Sequence, residues 1–215
     1  TLEVIERCAA YIEEKQSQKK KTFGGPRLQA LDPADRQRQA AALAPVLRGL
    51  CSSQQQMIGH FTDDDRVLEF IGSHDLDRLA PMGTSCPDHF LRTKIAPLVL
   101  DLKPGEDLSH SETIKTRLAP LFESYRKRYI DYYERCKHPD SPARRDPNPV
   151  VILYPGVGLF TFAKDKQTAR VAAEFYINAI NVMKGAEAIS QYTSLPFQEA
   201  FNIEYWLLEI GRAHV

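Results

Sequence analysis

"VVILYPGVGLFTF", residues 150–162, is an apolar run, a Pro-Gly-x-Gly turn and a second β-rich run. Aliphatic and aromatic residues bounded by such a turn predict two adjacent strands joined at Pro155–Gly158. On the C-terminal side, Asp165 is placed to cap a helix through "KQTARVAAEFYINAINVMKGAEAISQY". There Ala172, Phe175, Ala179, Ile180, Met183 and Ala186 recur at helical spacing. On the N-terminal side, "HPDSPARRDPNP" is a proline-rich loop. The segment before it, "SHSETIKTRLAPLFESYRKRYIDYYERC", predicts a long helix. Ser109 stands three residues before Glu112, as in a capping box, and Ile114, Leu118, Leu121, Phe122, Tyr125 and Tyr129 share one face. The tyrosines 125, 129, 132 and 133 could stack a sugar or a base; at helical spacing they are read as core.

Further upstream, "LDPADRQRQAAALAPVLRGL" predicts a helix with Asp32 as N-cap, Pro33 in its first turn and Asp35 near the positive end of the dipole, bending at Pro45. "MIGHF" and "RVLEFIG", separated by the acidic turn "TDDD", are expected to pair as a hairpin, and residues 95–102 to run as a strand. Strands interleaved with long helices give an α/β architecture, with helices packed against a mixed sheet.

The chain has 215 residues, 43% of them apolar, with 28 basic residues balancing 28 acidic ones. This is enough to bury one good core, or one domain plus a piece of another, and the balanced charge leaves no overall field for nucleic acid or an anionic membrane. No apolar run approaches the roughly 18 residues of a membrane span, and no signal-peptide pattern opens the chain, so a cytoplasmic location is expected. Cys8, Cys51, Cys86 and Cys136 form no Cys-x-x-Cys or Cys/His pair and are read as free thiols.

"GTSCPDHFLRTK", residues 83–94, gathers a thiol, an acid, an imidazole and two cations. Read as an extended strand, it sends Cys86, Asp88 and His89 to alternating sides, which disfavours a metal site, and Cys86 has no identifiable base. A phosphate or carboxylate clamp is open to it: His89 with Arg92 and Lys94 on one face at period two, and a hydroxyl from Thr84 or Ser85. The competing reading is a structural or inter-copy salt-bridging role. The other internal histidines, 60, 74, 110 and 138, are isolated.

"GTSCPDHFLRTK", "NPVVILYPGVGLFTFAKDKQTARVAAEFYINAINVMKGAEAI" and "FNIEYWLLE" together resemble the family of bifunctional rhamnulose-1-phosphate aldolase/short-chain alcohol dehydrogenases, over nearly the whole chain to Glu209. The resemblance implies class II aldolase/adducin-like α-β-α layers around a mixed, largely antiparallel sheet. It also implies a zinc-dependent retro-aldol cleavage of rhamnulose 1-phosphate to dihydroxyacetone phosphate and lactaldehyde, and oxidation of the aldehyde by a fused NAD-dependent dehydrogenase. It further implies a homo-oligomer acting on a sugar phosphate. This sequence departs from the family's pattern: it has no His-x-His, and Val157 stands in "VGLFTFA" where a third zinc-binding histidine is expected.

The first helix, "TLEVIERCAAYI", also echoes "AINVMKGAEAIS" (Ala179–Ser190) in apolar pattern. The expected organisation is therefore residues 1–15 as the last helix of a preceding catalytic copy, 16–26 as a linker, and 27–209 as a second, degenerate copy. Its zinc and NAD sites would lie outside this chain. The substrate-binding candidates are Thr84, His89, Arg92 and Lys94, with no catalytic or metal-ligating residue assigned. "IGRAHV", residues 210–215, back-translates to a sequencing-adapter sequence and is expected to be a non-native tail. The alternative function is an adducin-like, non-catalytic association domain.

Overall fold

The structure, a computed structural model, describes residues 1–18 and 21–208, with the side chain of Asp88 also left aside. Glu209 and the expected tail 210–215 lie outside the described residues. The hairpin forms as the sequence predicts. Strand β3 (Val151–Tyr154) and strand β4 (Gly158–Ala163) pair antiparallel, with Ile152 opposite Phe160. The turn between them takes Gly156 through φ +77°, where a Cβ would lie 2.9 Å from the ring of Pro104. Every residue of both strands is buried, which is why this stretch reads as a continuous apolar run rather than an alternating one.

Two further strands complete the sheet in the order β1-β4-β3-β2. Strand β1 (Ile58–Thr62) runs antiparallel to β4, and the short β2 (Leu98–Val99) runs parallel to β3. Side-chain alternation divides the core. Ile152, Tyr154, Phe160 and Phe162 pack under helices α2 (Pro33–Cys51) and α6 (Ser111–Cys136). Val151, Leu153 and Leu159 pack under α3 (Asp65–Ile71) and α7 (Lys166–Ile189). The result is the expected α-β-α layering around a mixed, largely antiparallel sheet. No helix among the described residues is long and apolar enough to cross a membrane.

Helix starts follow local chemistry. Asp32 accepts from the Asp35 amide and Asp165 from the Thr168 amide, so both expected caps form. The capping box at Ser109 does not. The Ser109 amide donates to Asp107 Oδ1 at 2.9 Å, which moves the helix start to Ser111 and leaves His110 at the cap without a side-chain bond.

The expected hairpin of "MIGHF" with "RVLEFIG" is corrected. Asp64 caps α3 through the Arg66 amide, and Val67, Phe70 and Ile71 follow at the i, i+3, i+4 spacing of a buried helix face. β1 pairs with β4 instead. The expected strand through residues 83–102 is corrected as well. After the one-turn helix α4 (Leu76–Leu79), Pro87 opens a single 3₁₀ turn (Pro87–His89), which continues into the one-turn helix α5 (Phe90–Thr93), and only Leu98–Val99 is strand.

The first helix, α1 (Leu2–Ser17), lies against α7 with none of its residues buried; Leu2, Ile5 and Tyr11 are more than half exposed. The end of the expected linker 16–26 is pinned rather than loose. Phe23, at φ +56°, is buried edge-on against Phe70 at 5.2 Å. The backbone of residues 23–28 is laced to residues 72–75, including Phe23 O to the Asp75 amide at 3.1 Å and Gly72 O to the Leu28 amide at 2.9 Å. At the other end, α8 (Phe197–Glu204) turns Ala200, Phe201 and Glu204 inward, and Trp206, Leu207 and Leu208 then stand exposed.

If Phe23 anchors this connection, Phe23→Ala should lower the unfolding free energy by about 3–5 kcal/mol in urea titrations, as loss of a fully buried ring does. A free tether would show no change.

Candidate functional site

Helix α5 ends at Lys94, whose φ of +60° is unusual for a residue with a side chain. The reversal turns the side chain into the protein rather than along a strand, so Lys94 and Arg92 do not share a strand face. The Lys94 ammonium donates to the carbonyls of Asp146 and of Asn148, the latter at 2.6 Å, and lies 4.1 Å over the ring of Tyr129. Burial, with the Arg145 charge nearby, pushes its pKa down to about 7.

The proline-rich loop supplies the acceptors, and it is held from three sides. Arg145 donates to the Leu91 carbonyl at 2.8 Å and pairs with Glu204 at 3.2 Å. The Asn148 amide group donates to Ser53 Oγ at 2.6 Å, while its carbonyl oxygen accepts from Arg126 Nε at 2.7 Å. Glu204, fully buried on α8, accepts from the Tyr129 hydroxyl at 2.6 Å, and Tyr129 also meets the Tyr205 hydroxyl at 2.8 Å. Burial raises the pKa of Glu204, opposed by the Arg145 charge and the Tyr129 hydrogen bond. The Tyr132 hydroxyl also lies beside this carboxylate and helps to hold its charge, while burial and the Glu204 charge push the tyrosine's own pKa up.

Beside this brace opens a cleft of about 250 Å³, whose polar lining includes Arg92, Lys94, Asp146, Asn148, Lys164 and Thr168. Arg92 and Lys164 make no hydrogen bond or ion pair among the described residues. Arg145, also on its wall, is committed to Glu204. The cleft therefore presents a cationic excess over the single carboxylate of Asp146, whose Oδ2 is buried without a hydrogen bond. Cys51 lies in the wall with its thiol pKa raised by burial, which keeps it protonated and unreactive.

Of the four candidates read from the sequence, Arg92 and Lys94 come together at this cleft, whereas Thr84 and His89 do not reach it. Thr84 Oγ1 and His89 Nδ1 are 3.2 Å apart, and the His89 ring meets Phe175 edge-on at 4.8 Å and the Asn178 amide at 3.5 Å, against α7. Sequence reading passed over Arg145, Asp146, Asn148, Lys164 and Glu204. Glu204 alone carries a signal, as an acid at i+4 from Ala200 on the inward face of α8.

The residues do not fit a zinc ion. Val157, at the position where the resemblance expects a histidine, is fully buried in the core, and among the described residues no three His, Cys, Asp or Glu side chains converge. The sheet is not of the doubly wound parallel kind: one parallel pair in an otherwise antiparallel sheet offers no crossover switch point.

A family model described as "Aldolase class II, second domain" matches residues 38–211. The protein named "Uncharacterized oxidoreductase YuxG", from Bacillus subtilis (strain 168), is 35% identical over 212 residues, which is 98% of this chain and 30% of the relative. The chain thus spans less than a third of that relative's length. No solved structure matches.

The buried lysine has a pH signature. With Lys94 near 7 in the folded state and about 10.4 when exposed, the unfolded chain binds the extra proton between those values. Stability should therefore rise with pH across that window and be flat in this contribution below it. Urea unfolding at a series of pH values should show this rise in the parent and its loss in Lys94→Met. The variant should also lose about 1–3 kcal/mol at neutral pH, because two buried carbonyls lose their donor.

Proposed function

Because the chain belongs to the family of class II aldolase second domains, we propose that it is the second, non-metallated aldolase-type domain of a longer aldolase–oxidoreductase. The observation that carries this reading is Val157, which completes the hydrophobic core at the position where the family's zinc chemistry needs an imidazole. In this reading α1 ends a preceding copy that holds the zinc, residues 27–209 are the degenerate copy, and the NAD site belongs to a fused short-chain dehydrogenase. The oxidoreductase name of the relative and its greater length support that arrangement. The reaction is cleavage of rhamnulose 1-phosphate to dihydroxyacetone phosphate and lactaldehyde, followed by oxidation of the aldehyde, in a cytoplasmic homo-oligomer.

This domain's own contribution is binding. Arg92 and Lys164, unpaired at the rim of the cleft, would meet the substrate phosphate with charge-assisted hydrogen bonds. Lys94 and Arg145 hold the wall in place beneath them, and Thr84 and His89 fix the start of the same segment against α7. None of these groups is asked to move a proton.

A second reading, a non-catalytic association domain, is favoured by α1, which turns Leu2, Ile5, Tyr11 and Ile12 toward solvent. Zinc content and turnover of rhamnulose 1-phosphate by the intact gene product decide between the two. Zinc with turnover is expected, and Arg92→Met should raise KM roughly tenfold with kcat little changed, as loss of a phosphate contact does. An intact product without turnover would favour association, and unaltered kinetics in Arg92→Met would remove the cleft from substrate binding.

A further inference from the structure

A second cavity, of about 580 Å³, opens along the edge of the sheet between the outer strand β2 and helix α6. Its lining comes from residues 95–99, from Tyr125, Tyr129 and Tyr132 on α6, and from Pro81 and Phe197. The size lies within the range of small-molecule sites, and the walls are apolar and aromatic.

Its polar groups are unevenly committed. The Tyr125 hydroxyl donates to the Ala96 carbonyl at 2.8 Å, and Tyr129 is bound to Glu204. Tyr132, only 4% exposed, lies with its hydroxyl beside the Glu204 carboxylate. The three tyrosines therefore offer the cavity their ring faces, and the polar recognition falls to its charged rim. At the rim, Asp77 is taken by Arg27 at 2.6 Å. Arg128 and Arg135 make no ion pair or hydrogen bond among the described residues; each guanidinium lies over a ring of the wall, Tyr125 at 5.9 Å and Phe197 at 5.0 Å. With Asp131 the one uncommitted acid there, the rim carries an excess of positive charge. The two arginines are seven residues apart on α6, about 10 Å along its axis, so both can reach a ligand lying lengthwise against the tyrosines.

We propose that this cavity binds a small anion with an apolar, preferably aromatic, body: an aryl carboxylate, sulfonate or phosphate ester. The body stacks among Tyr125, Tyr129, Tyr132, Pro81 and Phe197, and the acid group meets Arg128 or Arg135. The site is separate from the cationic cleft beside Lys94 and does not depend on the proposed aldolase role.

The test uses two dyes of nearly the same shape on the intact gene product: 1-anilinonaphthalene-8-sulfonate, and the uncharged N-phenyl-1-naphthylamine. Saturable one-to-one binding of the sulfonate is expected. Arg128→Met or Arg135→Met should weaken it roughly tenfold, as loss of a charge-assisted contact does, and leave the neutral dye unchanged. Both arginines are on the surface of α6, so the fold should survive either change, and backbone hydrogen exchange supplies an independent readout: the sulfonate should protect residues 95–99. The proposal fails if the sulfonate does not saturate, if neither variant distinguishes the dyes, or if protection falls on the exposed face of α1.

Discussion

A buried ammonium is tolerable only when its donors are met, and meeting those of Lys94 organises much of this molecule. Two carbonyls of the loop at residues 146–148 and the face of Tyr129 surround it, and neither can be in place unless distant parts of the chain are. The loop is held by Arg145 reaching back to α5 and across to α8, and by Asn148 tied to α6 through Arg126 and to the end of α2 through Ser53. A positive φ at Lys94 is what aims the side chain inward. Such backbone conformations are retained when surrounding contacts over-determine them, and here the contacts come from four helices and a loop.

That brace also explains the character of the cleft beside it. Because Arg145 is spent on Glu204 and Lys94 on carbonyls, the charge left facing open space is that of Arg92 and Lys164. Mobile surface cations rarely hold an anion well; cations rising from a rigid, polar-bonded wall are already oriented. The arrangement is what the binding role proposed for this domain requires.

The layered fold was legible in the sequence wherever one period dominated. The hairpin at Pro155–Gly158, the caps at Asp32 and Asp165 and the apolar face of α6 each depend on neighbours within a few residues, so local chemistry decided them. "RVLEFIG" was misread because its β-branched and aromatic content resembles a strand, whereas the deciding fact is the Asp64 cap and the i, i+3, i+4 placement of Val67, Phe70 and Ile71. The 83–94 cluster was half legible. Its charges drew attention to Arg92 and Lys94, which both line the cleft, but the period-two reading could not foresee a helical turn that buries Lys94 and separates it from Thr84 and His89. Its other partners, Arg145, Asp146 and Asn148, lie some fifty residues downstream in a loop whose prolines announce only irregular backbone. Pairings across that distance leave no periodic trace.

The position of Trp206 has an optical consequence. It is the sole tryptophan among nine tyrosines, and it stands half exposed just beyond α8, one residue after the buried Tyr205. Its emission reports on the α8 end of the molecule and is nearly blind to the sheet, so melting followed at its wavelength would register the release of Glu204 and Tyr205. The part of the tyrosine absorbance carried by Tyr125, Tyr154, Tyr176 and Tyr192, buried in the two layers that flank the sheet, would follow the core. A gap between the two signals would measure how far the α8 latch can come undone while the layered sheet remains intact.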